Sequence, residues 1–262
     1  MALVRSERPA AGIARIVLDD PAKRNALSAG LRQALIAEVE AALADEAVRA
    51  IVLTGAAGTF CAGGDLSSMG IMTGEVARAR MKGSHRLIRL LMAAEKPVVA
   101  AVEGPAMGGG AGLALLGDAL VMGEAAVIGF PYFKVGLVPD YGLFHTLPRR
   151  VGAGHARRLF NTAATVRSAE ALAIGLCDRV VPDAEVQAAA LAQAELLAAL
   201  PALAFAMTKQ QLGQMPASLE AALEMETLAQ TVAFGSADHA EGKRAFFEKR
   251  RPRFGSDGGA GA

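Results

Sequence analysis

At 262 residues the chain is long enough to bury a full core, as one large domain or as a core with an appendage. Apolar residues make up 53% of it, much of that alanine, yet no uninterrupted apolar run reaches the roughly 18 residues of a membrane span. A net charge of +1 without a basic tract argues against a nucleic-acid surface, and Cys61 and Cys177 resemble neither a disulfide framework nor a metal-ligand set. With no charged-then-apolar leader at its start, the expectation is a cytoplasmic protein without membrane association.

In chain order, residues 3–8 and 13–18 predict a hairpin around "PAAG". Asp20 and Pro21 punctuate, and Ser28 is placed to cap a helix running to about Asp45, with Leu31, Leu35, Val39 and Leu43 on one stripe. "AIVLTG" predicts a buried strand over residues 50–54, and a helix over 75–94 follows, stopped by Pro97. Strands at 98–103, 120–122 and 126–129 come next, and this alternation makes the class α/β. After Pro139 the pattern turns helical, over 143–150, 153–161, 168–174 and 184–200. A second helical group spans 201 to about 249, and the tail "GSDGGAGA" reads as disordered or appended. The boundary falls between a core, residues 1–200, and a C-terminal helical region, residues 201–262.

Two glycine-rich loops, "TGAAGTFCAGGDLSSM" and "EGPAMGGGAG", each follow a buried strand and lead toward a helix. Glycine lets the backbone approach a ligand closely, and a helix start offers N–H groups with no partner in the helix. Neither loop carries GxGxxG or a GK[ST] ending, so a phosphate cradle is not indicated. One such loop alone reads as close strand-to-helix packing; two in adjacent units suggest paired donors, an oxyanion hole. A third stretch, "GLVPDYG", sets Asp140 behind three apolar residues. Pro-Asp is a common turn or helix opener, whereas a buried carboxylate needs donors or a shifted pKa.

"FCAGGDL" and "GPAMGGGAGLALLGD" resemble the enoyl-CoA hydratase/isomerase (crotonase) superfamily, as do "PAKRNALS", "GLVPDYG" and "EGKRAFFEKRRPRF", in the family's order over nearly the whole chain. The resemblance implies a spiral of ββα turns with a C-terminal helical region, assembled as trimers or dimers of trimers. It implies an acyl-CoA thioester substrate, no separate cofactor since coenzyme A is part of the substrate, and no metal. Carried over, the two backbone donors to the thioester carbonyl are Gly64 and Gly109. Nucleotide contacts map near Ala22, Ala62, Asp65 and Leu66, with Lys23, Arg24 and Lys249 as the candidate cations, the last reaching a neighbouring subunit.

The departures from the family are informative. Its hydratases use two glutamates, and the corresponding positions here are Gly112 and Tyr132. Several superfamily isomerases instead carry an acid where this chain has Asp140, and "FKVGLVPDYG" with "LPRRVG" resembles the aspartate-dependent epoxyphenylacetyl-CoA isomerases most closely. A single base suffices to move a proton along an acyl chain, so the expectation is double-bond isomerisation with Asp140 as base, its pKa raised among Leu137, Val138 and Phe144. Alternatives are hydration, a 4-chlorobenzoyl-CoA dehalogenase-like reaction with His85 in a supporting place, and a non-catalytic acyl-CoA binder. Tyr132 and Phe144, with Phe60, Phe130, Phe133 and Tyr141, are candidates for an acyl pocket. Cys61 lacks an evident base and reads as structural.

Overall fold

The structure, a computed structural model, describes residues 2–70 and 73–255; Met1, Ile71, Met72 and residues 256–262 lie outside the described residues. Strands β1 (Val4–Ala10) and β2 (Ile13–Leu18) form the expected antiparallel hairpin. Helix α1 (Ala29–Ala44) starts where the Ser28 side chain accepts a hydrogen bond from the N–H of Leu31, satisfying one of the orphan donors of its first turn. Strand β3 (Ala50–Gly55) and helix α2 (Gly74–Met92), capped by Thr73, follow.

From here the chain winds as a spiral. Strands β4 (Val98–Val102) and β5 (Pro105–Met107) lead into the short helix α3 (Gly109–Ala114), and β6 (Ala119–Gly123) and β7 (Val127–Gly129) lead toward α4 (Leu143–Asn161). Strand β8 (Thr165–Arg167), α5 (Ser168–Ala173), β9 (Arg179–Val181) and α6 (Val186–Ala198) complete the core. One strand of each turn joins a six-stranded sheet of order β1-β2-β3-β4-β6-β9, while β5 and β7 join a three-stranded sheet of order β5-β7-β8. Beyond the first hairpin the large sheet is parallel throughout.

The apolar runs read as strands because the large sheet is covered on both faces. In β4, Val98, Ala100 and Val102 face the main core with Leu35, Leu53 and Leu120, whereas Val99 and Ala101 face Ala190 and Ala194 of α6. Alanine on both sides of that second contact lets helix and sheet approach closely. Helix α4 is interrupted at Gly152, whose φ of 78° and ψ of 158° are not helical, so the two helices expected over 143–150 and 153–161 are both present. Strands β5, β8 and β9, three residues each, fall where the sequence reads as loop or helix boundary. Segments so short have no readable period and form only because a neighbouring strand supplies their hydrogen-bond partners. Helices α7 (Ala202–Gln214), α8 (Leu219–Phe234) and α9 (Ala237–Glu248) follow, and α7 and α8 bury no residue. Leu219, Leu228, Phe234, Phe246 and Phe247 are all exposed on this part. No single helix among the described residues is long and apolar enough to cross a membrane.

The segment "PAKRNALS" has a fixed job in this framework. After the single turn Pro21–Lys23, Asn25 takes a left-handed conformation, φ 57°, that asparagine tolerates better than most residues. Its side chain is fully buried, donates to the carbonyls of Thr59 at 2.6 Å and Ala56 at 3.1 Å, and accepts from the N–H of Asp20 at 2.9 Å. It thereby clips the first glycine loop to the end of β2. Asn25→Ala leaves buried polar groups without partners, and a loss of about 2–3 kcal/mol in unfolding free energy is expected from urea titration. A change below about 0.5 kcal/mol would show that the clip is dispensable.

Candidate active site

The two glycine loops are stitched together at closer range than any side chain would allow. The N–H of Cys61 donates to the carbonyl of Pro105 at 3.0 Å, and the N–H of Met107 donates back to the carbonyl of Cys61 at 2.9 Å. On the other side of the first loop, the N–H of Leu27 donates to the carbonyl of Gly63 at 2.7 Å. Gly63 has φ 96°, and a Cβ there would stand 2.5 Å from the Met107 carbonyl oxygen; a Cβ on Gly110 would stand 2.4 Å from the Cys61 carbonyl oxygen. These glycines are required by contact, and at Gly63 by conformation as well. Gly109 begins α3, where an N–H has no acceptor in its own helix. Among the described residues no protein group accepts from the N–H of Gly64 or of Gly109.

Both glycines line a single cavity of about 330 Å³, together with Ala62, Leu66, Tyr132 and Asp140. Among the described residues Asp140 is the only carboxylate on its wall. One of its oxygens, Oδ1, accepts a hydrogen bond from the Tyr132 hydroxyl at 2.8 Å. Burial raises its pKa above the ordinary aspartate value, while the Tyr132 hydroxyl and the Arg80 charge oppose the rise. The side chain does not cap α4, whose N-cap is Gly142 with φ 76° and no side-chain bond. The backbone carbonyl of Asp140 accepts from the N–H of Leu143 at 3.1 Å, so the residue opens the turn into α4 through its main chain while its side chain lines the cavity. The expected cause of its burial needs correcting, however: Val138 and Phe144 are 69% and 63% exposed, and of the three residues named only Leu137 borders the cavity.

The two positions where the family's hydratases hold glutamates are occupied differently here. An ideal Cβ on Gly112 would lie 2.4 Å from the Cβ of Tyr141, so that position has no room for any side chain. Tyr132 fills the other and points its hydroxyl at Asp140. The Tyr141 ring also forms part of the cavity wall; its hydroxyl is buried without a hydrogen-bond partner of good geometry, and burial pushes its pKa up to about 12.

At the rim, the carbonyl of Arg24 accepts from the N–H of Ala62 at 3.0 Å, and Lys23 Nζ lies 3.0 Å from Asp65 Oδ2, which brings residues 22–24 beside residues 62–66. Asp65 caps the turn Leu66–Ser68, and hydrogen bonds from Ser67, then Lys23, hold its carboxyl down to about 2. Ala22, Lys23 and Arg24 are exposed, and the Ala62 N–H is used by the carbonyl of Arg24. Three other expected residues do not line the cavity. Phe144 packs on Phe160 with the rings tilted by 58° and centroids 5.5 Å apart; Lys249 ends α9 in a left-handed conformation; His85 lies on the exposed face of α2. Of the aromatic group only Tyr132 and Tyr141 reach the cavity: Phe60 and Phe130 are in the core and Phe133 is exposed. Sequence reasoning missed Arg32, Arg80 and Ser84. Ser84 and Arg80 stand one helical turn apart on α2, a signal at i, i+4 that is common to many helices and becomes meaningful only beside the cavity.

The model of the enoyl-CoA hydratase/isomerase family matches residues 8–257. A Thermus thermophilus protein provisionally named an enoyl-CoA hydratase is 39% identical over 246 residues, covering 92% of this chain and 97% of that one. A crotonyl-CoA hydratase of Syntrophomonas wolfei is 32% identical, over 92% of this chain and 94% of its own. Among solved structures, the enoyl-CoA hydratase of Bacillus anthracis superposes with a TM-score of 0.91 at 28% identity, covering 97% of this chain and 100% of that chain. The spiral described above is the crotonase fold, and the chain belongs to the enoyl-CoA hydratase/isomerase family.

Both cysteines are buried, and burial pushes the Cys61 thiol up to about 12 and the Cys177 thiol up to about 11. Since the thiolate is the reactive form, maleimide at neutral pH is expected to leave both unmodified in the native protein and to label two sites after denaturation. Rapid native labelling of Cys61, detected by peptide mass, would contradict its structural role.

Proposed function

We propose that the protein is an enoyl-CoA isomerase that moves a proton along the acyl chain with Asp140 as the single base. The observation that carries this reading is that one carboxylate and two backbone N–H groups without partners share one cavity, while position 112 admits no side chain. In this mechanism the thioester carbonyl oxygen accepts from the N–H groups of Gly64 and Gly109. Asp140 takes a proton from C2 of a 3-enoyl-CoA through its free oxygen. The electron pair delocalises onto the carbonyl oxygen and, through the double bond, onto C4, giving a dienolate whose oxygen the two donors hold. Returning the proton to C4 leaves the double bond between C2 and C3. Donors fixed in advance are worth about 100- to 1000-fold each in such sites.

The rim formed by residues 22–24 and 62–66, with Lys23 and Arg24 as its cations, is the proposed entry for the nucleotide part of coenzyme A. Lys249 lies far along the chain in a region that buries little, which fits a contact made in a neighbouring subunit. The exposed apolar side chains of α8 and α9 support a homotrimer or a dimer of trimers, and the proposed location is the cytoplasm. Hydration is the second reading, favoured by the names of the relatives. It would require Asp140 to serve both water and carbon, with no second carboxylate on the wall among the described residues.

Asp140→Asn keeps the size of the side chain and removes the base. Conversion of 3-enoyl- to 2-enoyl-CoA is expected to fall by about 100-fold or more with little change in thioester affinity. Wild-type turnover by this variant would overturn the assignment. If wild type converts 2-enoyl-CoA to a 3-hydroxyacyl-CoA faster than it isomerises, the hydratase reading replaces this one.

The pH dependence has a definite sign. Asp140 must be ionised to act, so kcat/KM rises with pH through its folded pKa, and burial sets that acid limb above the ordinary carboxylate range of about 4. The Tyr132 hydroxyl stabilises the carboxylate, so Tyr132→Phe is expected to move the limb to higher pH. An unmoved limb would separate Tyr132 from the ionisation of Asp140.

A further inference from the structure

Arg80 is an anomaly on α2. Its cationic neighbours on the helix, Arg78, Lys82, Arg86 and Arg89, are all exposed, whereas Arg80 is half-buried on the cavity wall. Its Nη2 lies 3.9 Å from where a Cβ on Gly64 would stand, which sets the guanidinium beside one of the two unpartnered backbone donors. Among the described residues no carboxylate pairs with Arg80 and no group accepts a hydrogen bond from its guanidinium. Asp140 feels its charge, but the Oδ1 of that carboxylate is committed to Tyr132. The other wall cations differ: Arg32 donates to the carbonyl of Leu27 at 2.8 Å, and Lys134 is exposed.

A guanidinium drawn partly out of water without an anion is unfavourable, and its fork of donors matches a carboxylate in two places at once. The same cavity wall carries the apolar side chains of Leu27, Met69, Met81 and Leu137, with Ser84 one helical turn from Arg80. A chain of methylenes ending in an anion is complementary to that combination, and a plain alkyl chain leaves Arg80 unpaired. We infer that Arg80 is a specificity-determining residue that anchors a carboxylate on the acyl group, so that the substrates are enoyl-CoA thioesters of short dicarboxylic acids; this presupposes the acyl-CoA site proposed above. The proximity of Arg80 to Gly64 keeps the second carboxylate near the thioester, which favours short chains over long ones.

Binding tests the anchor separately from turnover. Glutaryl-CoA and pentanoyl-CoA share chain length and differ in the terminal carboxylate. By calorimetry at fixed ionic strength, wild type is expected to bind glutaryl-CoA at least about 10-fold more tightly. Arg80→Gln is expected to weaken glutaryl-CoA by about 30-fold more than pentanoyl-CoA, in the range found when one partner of a buried charge pair is removed. Arg80→Lys keeps the charge without the fork and is expected to retain part of the preference. Equal binding of the two thioesters by wild type, or equal weakening of both in the Gln variant, overturns the anchor and leaves Arg80 as a group acting on Asp140 or on the wall. The two proposals fail separately. A preference for glutaryl-CoA without isomerisation of any enoyl thioester would sink the isomerase reading and uphold the anchor, whereas isomerisation with equal binding does the reverse.

Discussion

Everything at the site depends on how closely two backbone loops can be brought together. The paired hydrogen bonds between Cys61 and the ends of β5 draw the first glycine loop against the second, and the Leu27–Gly63 bond holds it from the other side. At that spacing a Cβ on Gly63 or Gly110 would fall inside the van der Waals radius of a carbonyl oxygen. Glycine is thus not a flexible residue here. It is the only one thin enough for the stitch, and the stitch is what lets two N–H groups from different turns of the spiral line one cavity.

The same tight packing decides which side chains the chemistry has available. Tyr141 occupies the space that a residue at position 112 would need, so no carboxylate enters from α3. Tyr132 takes the other position with a hydroxyl rather than a carboxyl, and spends it on Asp140. The result is one carboxylate held between opposing influences, with burial favouring its neutral form and a hydroxyl and an arginine favouring its charged form. Burial is the largest of these influences, so its pKa lies above that of a solvated aspartate.

The scaffold behind the site is covered on both faces, and the C-terminal helices are largely exposed. The large parallel sheet is buried on both faces, and Asn25, with φ 57° and no exposure, ties the first glycine loop to it through three hydrogen bonds. By contrast α7 and α8 bury nothing of their own and present large apolar side chains outward. A fixed distance between backbone donors requires the first kind of structure; the second kind is suited to contacts beyond the single chain.

Long, periodic features were legible from the sequence because they depend on local rules. The Ser28 cap and the stripe of α1, the buried runs of β3 and β4, the break between the two halves of α4 and the two glycine loops all lie where their residues place them. Gly64, Gly109, Tyr132 and Asp140 could be singled out for the same reason, as unusual residues within readable motifs. The three-residue strands β5, β8 and β9 could not, since their hydrogen bonds come from partners distant in the chain. Nor could the sequence tell that Phe144 and His85 turn outward while Arg80 and Ser84 turn in, because one helix face resembles another until something packs against it. Sequence by itself determined which chemical groups the chain owns and the order in which it folds past them. Only the tertiary structure decided which of them meet, because the distances between Gly64, Gly109, Tyr132 and Asp140 are set by contacts between turns of the spiral and not by any spacing along the chain.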